Sequence, residues 1–340
     1  MLVAQRGTSS TNNGYKTVDR YQVEWNGGGV TQSQADVGSS DTPYTLGFRK
    51  TLKLTNTSTG TGAGDYRDIR YYTEAQDIAN SGWDLSSSSS NIILSFWVKA
   101  SVAQTYYFFI YVPDSSKHYT TSFALSADTW TKVIKKIPGA SGLSVNNDNG
   151  NGLNIQIAPF YGTNFTTSGQ AVDTWGSWSG SSRVPDMTNT WADTTNATFE
   201  LTGLQLEVGS VATDFEHRSF AQELALCQRY FYNYMPAGNA NRNIGIGCYT
   251  GGGNQYELSI RHPVVMRDTP SYEEVGGTDF FANFGNTGGN GIVTYSGFSA
   301  DQLMNISTGL FTTNAGSHGG KATRARLNNA SASMAFDAEL

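Results

Sequence analysis

The sequence predicts an all-β protein: a jelly-roll β-sandwich, then a short linking helix, then a smaller C-terminal β domain. Three observations predict it. Charged residues make up only 15% of the chain while glycine alone numbers 38, and the abundant Ser, Thr and Asn suit turns and strand edges. Those same side chains compete with helical backbone hydrogen bonds, and glycine loses the most entropy on folding. Aromatic residues at 12% argue against disorder, which needs low hydrophobicity. Finally, four strand-like runs between residues 91 and 137 are separated by explicit turn chemistry. At 340 residues the chain has room for two cores. The boundaries read as 1–217 for the sandwich, 218–234 for the linking helix and 235–340 for the last domain.

Taken in order, residues 1–18 are polar and extended, and Asp19–Trp25 (DRYQVEW) alternates as a strand. Residues 26–46 read as a Gly-, Ser- and Asp-rich loop. Arg49–Leu54 and Arg67–Ala75 follow as strands, and the stretch through Trp83 and the five serines to Ser90 as a loop. Asn91–Ala100, Gln104–Val112, His118–Leu125 and Thr129–Ile137 then predict an antiparallel meander, turned by Pro113-Asp114-Ser115-Ser116 and Ser126-Ala127-Asp128. Alternation sets Leu94, Phe96 and Val98 on one face and Ser95, Trp97 and Lys99 on the other. The run Tyr106–Val112 is apolar on both faces, which places it centrally in a two-layer sandwich or under a neighbouring cover. Leu153–Phe160 is a further strand. Residues 162–196 form a long excursion bearing Trp175, Trp178 and Trp191. Ala197–Val208, with a bulge at Gly203, closes the domain.

The linking helix begins at Ser219, where Ser219 and Gln222 have capping-box spacing. Phe220, Leu224, Cys227 and Phe231 then form one apolar stripe. Short strands are predicted around Asn243–Tyr249, Tyr256–His262, Gly291–Tyr295, Ala322–Leu327 and Ser331–Ala338. Gly-rich turns at 251–253, 276–277 and 285–291 separate them. This last domain is the expected site of oligomerisation. Cys227 and Cys248 belong to no C-x-x-C pair and are expected to be free, buried small hydrophobes.

Composition sets aside several function classes. Net charge is −6 and no basic cluster exceeds Lys135-Lys136, so nucleic acid is not an expected partner. The longest apolar run has strand length, well short of the roughly 20 residues of a membrane span, and MLVAQRGTSS lacks the core of a secretory signal. His118, His217, His262 and His318 form no metal-binding pair, and no nucleophile elbow, P-loop or dinucleotide fingerprint occurs. Gly60–Gly64 lacks the Lys-Ser/Thr that would hold phosphate and reads as a turn. The paired acids Asp65/Asp68 and Glu273/Glu274 read as solvated turn carboxylates. No metal ligand is assigned and no cofactor is expected, although Asp-rich loops supply the hard oxygens that Ca²⁺ prefers.

Two groups of rings could bind a ligand. On an exposed loop, Trp175, Trp178 and Trp191 would stack on sugar C–H faces, with Asp173 and Asp186 taking hydroxyls and Asn164, Gln170 and Asn189 nearby. The competing reading is that the loop needs a small core and Trp fills it. Trp97, Tyr107, Phe109 and Tyr111 make a second candidate patch on one sheet face, with sandwich core as its alternative. Asp214–Arg218 (DFEHR) supplies local pairs that would fix the segment leading to the helix.

Two resemblances extend this reading. LSFWVKAS (94–101), TWTKVIKKIPG (129–139) and FELTGLQLEVG (199–209) resemble the jelly-roll carbohydrate-binding modules of polysaccharide-degrading enzymes. VAQRGTSS (3–10), YKTVDRY (15–21) and QLEVGSVATDFEHRSFAQELALCQRYF (205–231) resemble segments of tail-fibre and other virion structural proteins of tailed bacteriophages. The resemblance implies a non-enzymatic, homotrimeric virion surface appendage, partnered by other virion proteins and by host-surface glycan in adhesion. A purely architectural tail or capsid-decoration protein is the alternative. A polysaccharide depolymerase is a third reading, which needs two carboxyls about 5–10 Å apart in a cleft.

Overall fold

A computed structural model describes residues 1–340 except 189, 239–241, 250–254, 276–280, 286–289, 299–302, 314–321 and 328. The chain divides into two compact units, Met1–Phe220 with Leu340, and Ala221–Glu339. The strands of the first unit are β1 (Ser9–Ser10), β2 (Tyr21–Asn26), β3 (Gly29–Asp36), β4 (Lys50–Ser58), β5 (Tyr66–Glu74), β6 (Asn91–Ala100), β7 (Gln104–Val112), β8 (Lys117–Leu125), β9 (Thr131–Pro138), β10 (Asn151–Tyr161), β11 (Thr174–Ser177) and β12 (Thr198–Val208). Three single-turn helices interrupt them: α1 (Thr42–Thr45), α2 (Ala75–Ala79) and α3 (Thr190–Asp193). The strands form two six-stranded antiparallel sheets, ordered β1-β3-β4-β12-β6-β9 and β11-β8-β7-β10-β5-β2. The chain passes repeatedly from one sheet to the other, giving a jelly-roll sandwich.

Period-two alternation explains what lies between the layers. From the first sheet come Leu52 and Leu54 of β4, Leu94, Phe96 and Val98 of β6, and Phe199 and Leu201 of β12. From the second come Ile69 of β5, Tyr106, Phe108 and Ile110 of β7, and Ile155 and Ile157 of β10. The rings interlock edge to face across the gap, with Phe96 and Phe108 centroids 5.7 Å apart at 76°. Such pairs add about 0.5–1.5 kcal/mol beyond their buried area.

The four runs from 91 to 137 are strands, but they are not a meander. Only β7 and β8 form a hairpin. β6 pairs instead with β9 and β12 in the opposite sheet. The inner faces of β6 and β7 are both fully apolar, and facing each other across the sandwich buries both at once. The strand β3 falls inside the stretch read as a loop. Its sequence, GVTQSQAD, offers little apolar alternation, and its inward Gln32 is completely buried. Gln32 is satisfied by hydrogen bonds: Thr17 Oγ1 donates to its Oε1 (3.0 Å), and its Nε2 donates to the Asn12 carbonyl (2.8 Å).

In the second unit a helix, α4 (Phe220–Gln228), precedes nine strands among the described residues: β13 (Phe231–Met235), β14 (Asn243–Tyr249), β15 (Gln255–Arg261), β16 (Ser271–Val275), β17 (Phe281–Gly285), β18 (Asn290–Phe298), β19 (Ile306–Thr313), β20 (Ala322–Leu327) and β21 (Ser333–Asp337). Six of them close into a barrel, β14-β15-β19-β18-β17-β20, and β13-β21-β16 form a small sheet. The helix stops six residues before the expected end at 234, because Phe231 starts a strand. The aromatic run FYNYM pairs with β21, which buries Phe231 and Met235 and lays Tyr232 on Phe336 (6.2 Å, 21°). Cys227 is buried and takes part in no disulfide among the described residues, as its place on the helix predicts. The Cys248 side chain, His318 and the turns at 251–253 and 276–277 lie outside the described residues.

The predicted bulge at Gly203 is present as a register shift between Thr202 and Gln205. Its φ is +62°, and an added Cβ would sit 2.7 Å from Cζ of Phe48. Gly203→Ala therefore meets both left-handed strain and a ring that is itself buried. We expect a loss of about 1–3 kcal/mol, read as a lower urea midpoint for the first unit at unchanged m-value.

Candidate functional site

The outward face of the second sheet carries polar and aromatic side chains in register. Gln22, Arg70, Gln156, Phe109 and Thr120 form one row across β2, β5, β10, β7 and β8. Tyr72, Asn154, Tyr111 and His118 form the next. Neighbouring strands lie about 4.8 Å apart, so each row is a ladder of groups at nearly regular spacing. These positions are polar because alternation places them opposite the apolar residues of the core.

A hydrogen-bond network stiffens the β2–β5–β10 end. Arg70 donates twice to Asp68, Nε to Oδ1 at 2.7 Å and Nη2 to Oδ2 at 3.1 Å. The Tyr161 hydroxyl lies 2.5 Å from Asp68 Oδ2, to which it donates, and 3.3 Å from Gln156 Oε1. Tyr72 donates its hydroxyl to Gln22 Oε1 at 3.0 Å. Burial disfavours the charge on Arg70, but the adjacent Asp68 carboxylate outweighs it and holds the guanidinium firmly protonated. Burial, reinforced by Asp68, pushes the Tyr161 phenol well up, so it remains a donor.

Asp68 is completely buried, which corrects its reading as a solvated turn acid. It stands in β5 because Arg70 and Tyr161 supply the partners that a buried carboxylate requires. Glu24 lies directly across from it on β2. Burial is the largest cause raising the Glu24 pKa, with Arg70 opposing and Asp68 adding to the rise. Both oxygens of Asp68 are engaged in hydrogen bonds and the side chain is completely buried.

At the β7–β8 end the face is aromatic. Phe109, Ala158, Tyr161 and Val184 form a small second core, with Tyr111, Phe165 and Trp178 packed against it. Trp178 stacks on Tyr111 with centroids 4.4 Å apart at 27°, and the edge of His118 approaches it at 5.6 Å. Both Trp178 and Tyr111 remain partly exposed. The cover is stitched to the sheet by backbone bonds from Trp178 N–H to the Ser116 carbonyl (2.8 Å) and from Asp173 N–H to the Thr120 carbonyl (2.7 Å).

The residues singled out in the sequence fall into three environments. Trp178 lies on this face. Trp175 occupies β11, half-buried against the main core, its indole N–H donating to the Pro138 carbonyl (2.7 Å) and its ring edge on Tyr119 (5.4 Å). Trp191 is completely buried between the sheets, with its N–H donating to the Thr198 carbonyl (3.0 Å). No face of that ring is open to a sugar, and the expectation of a stacking role is corrected accordingly. The α3 turn carries it inward because a ring of that size fills the end of the sandwich. Asp173 and Asp186 are exposed, and Asp186 accepts from the Thr166 hydroxyl at 2.7 Å. Gln170 reaches to 3.4 Å from His118 Nε2, while Asn189 lies outside the described residues.

The second candidate patch separates. Trp97 belongs to the first sheet, whereas Tyr107, Phe109 and Tyr111 belong to the second. The contributions of Gln22, Arg70, Tyr72 and Gln156 are not apparent from motifs. The legible signal is alternation in β5 (YRDIRYYTE), where polar positions face away from Ile69. Among the described residues no group of three or more His, Cys, Asp or Glu side chains could share a metal ion. No described helix is long and apolar enough to cross a membrane.

No family model matches the chain, and no curated protein matches it. Solved structures with a likeness to it include a CBM4 structure at 12% identity, covering 52% of this chain and 78% of that one, TM-score 0.27. A second is the CBM22-1 xylan-binding domain of Paenibacillus barcinonensis Xyn10C, at 12% identity, covering 60% and 94%, TM-score 0.26. A third is the CBM22-1–GH10 portion of Clostridium thermocellum xylanase 10B with xylohexaose, at 11% identity, covering 55% of this chain and 26% of that one, TM-score 0.25.

Burial lowers the pKa of His118. The fold therefore favours neutral imidazole, and this contribution is complete above the unfolded pKa near 6.5. It is lost as pH falls through that value toward the folded one. Asp19 and Glu24, whose burial raises their pKa, act with the opposite sign at lower pH. Comparing wild type with His118→Gln isolates the histidine: the stability gap between them should shift against wild type from pH 7.5 to 5.5, measured by urea unfolding.

Proposed function

We propose that this protein is a non-catalytic glycan-binding protein and that the outward face of the second sheet is its binding surface. One observation carries the reading: partly exposed Tyr111, with Trp178 stacked on it, shares a row with Tyr72, and the adjoining row brings Gln22 and Arg70 to the same face, where Tyr72 is hydrogen-bonded to Gln22. A sugar presents C–H faces and hydroxyl edges, and this surface supplies rings for the one and fixed donors and acceptors for the other. Hydrogen bonds among the polar groups lower the ordering cost of binding. The buried and fully bonded Asp68 argues against glycoside hydrolysis at the Glu24/Asp68 pair.

The resemblance of residues 3–10, 15–21 and 205–231 to phage virion proteins supports placing this activity on a virion appendage, in host adhesion. Self-association as a trimer and attachment to other virion proteins belong to the same proposal. A glycan array followed by calorimetry tests the binding surface. Tyr111→Ala should weaken binding roughly 10-fold or more, in line with about 1–3 kcal/mol for a lost aromatic platform. Trp97→Ala, on the other sheet, should leave it unchanged. Equal affinities for wild type and Tyr111→Ala would reject this surface, and turnover of the polysaccharide would reject the non-catalytic reading.

A further inference from the structure

We infer that Arg183 is an oxyanion-recognition residue, and that the glycan held by this face is acidic, bearing uronate carboxylates or sulfate esters. The inference rests on the glycan-binding reading above and narrows its ligand class. Arg183 lies in the 162–187 segment that covers the aromatic end of the sheet. Its guanidinium carbon is 4.7 Å from the Phe165 ring centroid, 5.4 Å from Tyr161 and 5.8 Å from Trp178. Its position is over-determined. The backbone N–H donates to the Phe165 carbonyl (2.9 Å), the carbonyl accepts from Thr120 Oγ1 (2.7 Å), and Nε donates to the Gly180 carbonyl (3.0 Å).

A guanidinium has two faces and an edge of N–H donors. The guanidinium carbon lies over the Phe165, Tyr161 and Trp178 rings, and Gly180 takes Nε. The two terminal amino groups have no hydrogen-bond partner, and no carboxylate stands within ion-pair distance, among the described residues. Asp186, three residues further on, is turned to the Thr166 hydroxyl instead. The contrast with Arg70 on the same face is direct, since its Nε and Nη2 both donate to Asp68. Arg183 is therefore a half-buried, immobilised cation whose open fork matches the bidentate geometry of a carboxylate or sulfate. It adjoins Trp178, so one acidic sugar could place its ring on the aromatic stack and its anion on the fork.

The test uses the full chain and three probes: alginate oligosaccharides for carboxylate, carrageenan oligosaccharides for sulfate, and cello-oligosaccharides as neutral controls. Arg183→Met should reduce affinity for an acidic probe about 10- to 100-fold, the range for a lost charge-assisted hydrogen bond. Arg183→Lys, which keeps the charge and loses the fork, should recover only part of that affinity. Wild-type binding should weaken with added NaCl more steeply than binding by Arg183→Met, which separates a charge role from a packing role. Thermal melts of both variants check the fold, and Arg183→Lys remains informative if Arg183→Met is unstable. Binding of neutral probes alone, unaffected by Arg183→Lys, would overturn the inference and leave the glycan reading standing. Binding of no probe would take down both.

Discussion

The central constraint is that the middle strands of the second sheet bury residues on both sides. Phe108 and Phe109 are consecutive and point to opposite faces, yet both are completely buried. The inner face is covered by the first sheet. The outer face needs a separate cover, and the long excursion between β10 and β12 provides it. A loop that would otherwise be a liability is thus a structural layer, tied down by Trp178, Phe165 and Val184. The candidate surface lies where this layer ends and the polar rows begin.

That arrangement links packing to chemistry. The cover fixes Trp178 on Tyr111 and Arg183 among its rings, while strands β5 and β2 leave Gln22, Arg70 and Tyr72 partly exposed. Asp68 anchors those alternates by accepting from both Arg70 and Tyr161. Buried ion pairs often add little net stability, so this one is better understood as a positioning device that holds neighbouring side chains in single rotamers. In the second unit, His262 shows how buried polar groups are satisfied without charge. Its Nδ1–H donates to the Met304 carbonyl (3.1 Å), leaving Nε2 to accept from the Ser307 hydroxyl (3.0 Å).

Much of the fold was legible in the sequence, and the exceptions share causes. β6 and β7 have the bounds expected from alternation, and Leu94, Phe96 and Val98 are inward as that alternation requires. The both-faces-apolar character of Tyr106–Val112 correctly indicated a central strand. Pairing was not legible, because β6 joins β9 and β12 through contacts remote in sequence. β3 was hidden because a buried glutamine stands where an apolar residue signals a strand. Trp191 illustrates the limit for sites: a tryptophan in a polar loop gives no sign of whether its ring faces solvent or core. The row Gln22–Arg70–Gln156 joins three strands distant along the chain, so only the sheet register brings its members together.

The most direct test of the account is amide hydrogen exchange of the full chain with and without a soluble acidic oligosaccharide. The account predicts added protection in β5, β7, β10 and the 165–187 segment, with β4, β6 and β12 unchanged. Protection confined to the first sheet or to the barrel of the second unit would contradict it.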